Sequence, residues 1–177
     1  MLNLISSDCL GGRYFQNNNS EYKNPFIWNS IFLSDFIYLI NNWNFINFNN
    51  IQIIFTDNEY GKYKHVPTII IDNIIKLYFH HHYEDKNCLK PTKIHKHIDD
   101  IDLGYYDILN YLKEKYFNRL QRLVKENPVF IYNDKPLSTD IDLMEFIKLE
   151  TPYKKILVTT KTEYKKFKSN NLDIYIK

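Results

Sequence analysis

The feature that most constrains this chain is the change of apolar spacing at Asn127-Pro128. From Leu103 to Glu126, Tyr106, Leu109, Leu112, Tyr116, Leu120 and Leu123 recur at three- and four-residue steps, which predicts one amphipathic helix. Asn127-Pro128 stops that run, since proline has no N–H to give a helix, and Val129 to Tyr132 follows as a buried strand. Helix delivered straight into strand is the repeating unit of α/β folds.

The alternation recurs along the chain. Leu2 to Ser6 is a short apolar strand, and Ile31, Phe32, Phe36, Leu39 and Ile40 predict a helix over 28–43, with Ser30 or Ser34 near its start. Ile51 to Phe55 reads as a strand, and Thr68 to Ile71 with Ile74 to Phe79 as one or two more. A short helix from Asp140 to Lys148 and strands at Lys155 to Thr159 and Leu172 to Ile176 complete the pattern. The expected fold is α/β, a mostly parallel sheet flanked by helices. No repeat or composition break divides residues 1–177, so a single domain is expected, with Glu84 to Asp102 as a long polar loop.

Composition narrows the setting. With 15 Tyr and 12 Phe the interior should be built from large flat rings. A net charge of +2 gives no electrostatic reason to expect nucleic acid or an acidic membrane as partner. The lysines between Lys154 and Lys168 read as a solvated helix or edge strand. No apolar run is long enough to span a bilayer and the first residues do not form a signal peptide, so a cytoplasmic chain with Cys9 and Cys88 reduced is expected.

Ser7-Asp8-Cys9-Leu10-Gly11-Gly12 reads as a strand running into a glycine turn. Ligands of α/β sheets sit outside the carboxyl ends of parallel strands, and Cys9 follows such an end. Gly11 and Gly12 would let backbone N–H groups face a substrate oxygen. A following helix would lower the thiol pKa, whereas Asp8 would raise it. The plainer reading of Cys9 is a small buried residue at a tight turn.

A base for the thiol is offered by Phe79-His80-His81-His82-Tyr83. In an extended run His81 continues the apolar face of Ile75, Leu77 and Phe79, while His80 and His82 take the other face; alternatively all three cap an exposed strand end. Asp134, just past Val129 to Tyr132, is the natural carboxylate to orient an imidazole, with Asn133 as its rival, though both are also ordinary turn residues. His80, His82, His95 and His97 raise a three-His metal site, but neither paired cysteines nor a His-Glu-x-x-His helix accompanies them, and no metal or cofactor is assigned. Arg119 and Arg122, three apart, are expected on one helix face, either solvated or holding a carboxylate or phosphate.

Ser6-Ser7-Asp8-Cys9-Leu10-Gly11-Gly12, then Pro25-Phe26-Ile27-Trp28, then Tyr63 to Tyr83, resembles two related uncharacterised bacterial families. One is described as papain-like cysteine peptidases, the other as a domain of unknown function found in exopolysaccharide and capsule gene clusters. The first family's pattern is matched by Cys9, Pro25, Phe26, Trp28, Phe79 and His81, with Ile27 standing where that family has an acid. The second family's pattern is matched by Cys9, Gly11, Gly12, Pro25, Phe26, Phe79 and His81. Its His-Tyr pair is offset by one, which leaves His81 and His82 as rival carriers of one role. Similarity continues through Tyr116 to Arg122, Val129 to Asp134 and Lys155 to Thr159.

What the resemblance implies is a cysteine-dependent hydrolase or acyl transferase acting on a small-molecule, peptide or glycan substrate. Cys9 would be nucleophile, His81 or His82 base and Asp134 orienter, with Gly11, Gly12, Trp28, Arg119 and Arg122 at the substrate. The alternatives are a non-catalytic or carbohydrate-handling accessory protein of surface-polysaccharide assembly, and a metal-dependent hydrolase built on the histidines.

Overall fold

The computed structural model describes residues 3–8, 10–18, 24–26, 29–56, 66–79, 105–134, 139–167 and 169–177. In chain order these form β1 (Asn3–Ser6), α1 (Leu10–Asn17), α2 (Leu33–Asn41), β2 (Ile51–Thr56), β3 (Val66–Ile71), β4 (Ile75–Tyr78), α3 (Tyr105–Leu120), β5 (Pro128–Asn133), α4 (Asp140–Lys148), β6 (Lys154–Thr159), a 3₁₀ helix (Thr162–Lys166) and β7 (Leu172–Ile176).

The expected parallel sheet is present. β1, β5, β6 and β7 lie side by side in that order, and every neighbouring pair is parallel. The other three strands form a separate antiparallel sheet, β2-β3-β4, which apolar spacing alone did not set apart. Its tight corner is Asp72 and Asn73, both at positive φ (52° and 61°), closed by the Ile74 N–H donating to the Ile71 carbonyl at 3.1 Å. That is the hairpin geometry whose twist matches the strands it joins.

The two sheets are stitched by residues 30 and 31. Ser30 and Tyr78 exchange N–H···O bonds of 2.8 and 2.9 Å, and the Ile31 N–H donates to the Ser7 carbonyl at 2.9 Å. The backbone at the end of β4 is thereby joined, through one short stretch, to the backbone at the end of β1. This engagement also explains why α2 begins at Leu33 and not near Trp28: residues 30 and 31 spend their N–H groups across the sheet.

One aromatic core serves both sheets, as the Tyr and Phe content led us to expect. On β5, Phe130 and Tyr132 alternate inward. The Phe36 ring of α2 lies 5.9 Å from each of them and 6.2 Å from Phe146 of α4. Trp43 sits 5.3 Å from both Phe48 and Phe130.

Two further expectations are corrected. The long helix ends at Leu120, not Glu126, because the Lys125 carbonyl accepts from Trp43 Nε1 at 2.8 Å, Asn3 Nδ2 reaches the carbonyl of Val124, and Asn127 turns the chain at φ 47°. The Lys-rich stretch is part solvated helix, with Lys165 and Lys166 exposed on the 3₁₀ turn, but its strand is no edge: β6 lies between β5 and β7, and Lys155 is buried on it. Among the described residues no helix is long and apolar enough to cross a membrane.

Candidate functional site

The carboxyl ends of the parallel strands carry an unusual density of polar side chains, in two adjoining networks. The first crosses from β1 to β5. Ser6 and Ser7 are buried, and the Asn133 N–H donates to Ser7 Oγ at 3.2 Å. Asp8 donates its N–H to Ser6 Oγ at 3.4 Å, and that hydroxyl donates in turn to Asp8 Oδ1 at 3.3 Å. Asn133 Nδ2 donates to Asp8 Oδ2, while Lys177 Nζ donates to Asn133 Oδ1. An ammonium on the amide oxygen fixes which end of the carboxamide faces the carboxylate.

The second network crosses from β5 to β6 and α4. Thr159 Oγ1 donates to Asp134 Oδ2 at 2.7 Å, and the Lys161 N–H donates to Thr159 Oγ1 at 3.1 Å. Asp134 Oδ1 is buried and has no hydrogen-bond partner among the described residues. Asp140, in the first turn of α4, accepts from Lys161 Nζ at 2.6 Å and from the Tyr164 hydroxyl at 2.8 Å. These bonds hold the Asp140 carboxyl below its usual range and raise the Lys161 amine, whose main partner is Asp140. Burial, helped by Asp140, pushes the Tyr164 phenol up to about 12.

At the start of α1 the expected glycine turn is a helix. Gly11 and Gly12 belong to its first turn, where N–H groups lack intrahelical acceptors. Gly11 is required by close packing: a Cβ there would stand 2.9 Å from Ser6 Cβ.

The structure brings Asp134 and Asn133 to the same edge as Asp8 and α1, and separates the arginines from it. α3 leads into the amino end of β5, so Arg119 and Arg122 lie toward the opposite edge, about one six-residue strand (roughly 20 Å) away. Nor do they share a helix face. Arg119 is buried on α3, whereas Arg122 is exposed in the turn beyond it, its N–H on the Arg119 carbonyl at 3.1 Å. Cys9, Trp28, His80, His81, His82, Cys88, His95 and His97 lie outside the described residues, and among those described no His, Cys, Asp and Glu cluster suits a metal.

Ser6, Thr159, Lys161 and Lys177 were not singled out from sequence. Each sits at or just past the end of a predicted parallel strand, and that position was the available signal. A cavity of about 420 Å³ lies between residues 46–49 and the end of α3, but among the described residues that line it Lys125 is the one charged side chain, and none is an acid, thiol or imidazole. Its lining does not suit the chemistry expected of Cys9.

A family described as "Domain of unknown function (DUF1919)" matches residues 1–99, a span that takes in β1, α1 and the histidine run and ends before α3. It agrees with the expectation of an uncharacterised family, over a shorter span than the resemblance suggested. No curated protein matches the chain.

Proposed function

This chain belongs to the DUF1919 family of unknown function, and from that premise we propose that it is a cysteine-dependent hydrolase or acyl transferase working at the carboxyl edge of the parallel sheet. Cys9 would give its proton to His81 or His82, and the sulfur would add to an acyl carbon. The N–H groups opening α1, those of Gly11 and Gly12 among them, would hold the resulting oxyanion. Collapse would expel the leaving group with the proton from the imidazolium, and water or an acceptor nucleophile would then release the acyl group from sulfur. Asp134 is assigned the orienting role, because its buried Oδ1 calls for a donor and an imidazole N–H would supply one. Arg119 and Arg122 take no part.

The observation that carries this reading is the stitch between the sheets. Cys9 follows Asp8, and the histidine run follows Phe79. Ser7 and Tyr78, just upstream of each, flank the same two residues, 30 and 31. Two strand spacings, roughly 10 Å, separate the Ser7 and Tyr78 backbones, and that nearness is what supports the pairing of thiol and imidazole.

Iodoacetamide alkylation of Cys9 against pH tests it. We expect a labelling pKa at least one unit below that of a free thiol (about 8.5), returning upward in His81→Ala or in His82→Ala, which also decides between the two. A free-thiol profile in the unaltered protein, unmoved by both substitutions, would refute the assignment.

A further inference from the structure

We propose that Lys177, acting through Asn133, is a positioning residue that partly offsets the charge of Asp8 and so favours a thiolate at Cys9; this rests on the reading of Cys9 as nucleophile. The difficulty it resolves is electrostatic. A carboxylate one residue before the nucleophile works against ionisation of the sulfur, because like charges close together disfavour each other. Yet both oxygens of Asp8 are occupied: Ser6 Oγ donates to Oδ1 at 3.3 Å, and Asn133 Nδ2 donates to Oδ2.

The carboxamide of Asn133 spans the two charges. Its nitrogen is on Asp8 and its oxygen accepts from Lys177 Nζ, so the ammonium polarises the amide toward the carboxylate and prevents it from flipping. The backbone holds this line in register. Asn133 is bonded to Ser7 through its N–H, and the Lys177 N–H donates to the Thr159 carbonyl at 2.9 Å. A charge three strands away in the sheet order is thereby delivered to the residue before Cys9. Among the described residues, other charges near this edge include Arg13 of α1, Asp134, Glu163 and the Asp140–Lys161 pair, and all stay constant across these variants.

The test is the pH profile of Cys9 alkylation in Lys177→Met and Asn133→Leu, each also made in an Asp8→Asn background. Lys177 is exposed, so its substitution leaves the core untouched, and thermal melts check that all variants fold. We expect the thiol pKa to rise by about half to one unit in both single variants, an about three- to tenfold slower alkylation near neutral pH. Lys177→Arg should restore the profile. In the Asp8→Asn background the same substitutions should have no effect, since the charge they unmask is gone.

A depressed thiol pKa that neither substitution moves would overturn the role of Lys177 while leaving the nucleophile standing. The same holds for a shift that persists without Asp8. A thiol of ordinary pKa in the unaltered protein would remove both this inference and the reading beneath it.

Discussion

Gly11 and Lys155 show how much single positions bear here. Gly11 lets α1 cross the end of β1 at contact distance, with a notional Cβ 2.9 Å from Ser6 Cβ. Gly11→Ala must push helix and strand apart, and overpacking of that kind costs about 1–3 kcal/mol; urea denaturation should show the loss. Lys155, buried on β6, donates its Nζ to the carbonyls of Phe146 (2.7 Å), Ile147 (3.2 Å) and Leu149 (2.6 Å), capping the end of α4. Lys155→Met keeps the bulk but strands those acceptors, an expected loss of about 1–3 kcal/mol in the same assay. Burial draws this amine from 10.5 down to about 8. Below about pH 8 both folded and unfolded chains hold the proton, and the buried ammonium carries its full desolvation cost. From about 8 to 10.5 the unfolded chain binds more protons, so stability rises with pH across that window. The rise should be missing in Lys155→Met when stability is followed over that range.

At the scale of elements, the outcome turned on where backbone groups find partners. The helix Asp140–Lys148 is as expected because its start is written locally: Thr139 and Asp142 cap each other's N–H groups at 3.1 Å. The ends of α2 and α3 were not legible, since their limits are set by residues distant in sequence, Tyr78 and Ser7 for the one and Trp43 and Asn3 for the other. The β3–β4 hairpin was half legible. Asp72-Asn73 is a turn pair, but without the glycine that marks such corners most strongly. Asn73→Gly should therefore stabilise the hairpin, by up to about 1 kcal/mol, by relieving the positive φ of 61°; a thermal melt is the check.

For the whole molecule, the parallel sheet could be anticipated from helix–strand alternation, but not its division from β2-β3-β4 or the stitch that joins the two. Ser30→Pro removes the N–H that donates to the Tyr78 carbonyl, so we expect amide exchange at β4 to accelerate by at least about tenfold relative to β5. Equal protection of both sheets in that variant would show that the shared core alone binds them. Of the candidate site, the described residues bear on its strand-end polar positions. Asp134 could be placed at a strand's carboxyl end from sequence, whereas the approach of Lys177 to Asn133 depends on strand order, and the distance of Arg119 and Arg122 from that edge depends on chain direction.

The central claim is that a thiol and an imidazole share the carboxyl edge, and paired groups must perturb each other equally. Histidine titration by NMR in the unaltered protein and in Cys9→Ser measures that coupling from the imidazole's side. One of His81 and His82 should titrate above its ordinary value and fall back by at least about one unit when the sulfur is removed. Imidazole titrations superimposable in the two proteins would contradict the account.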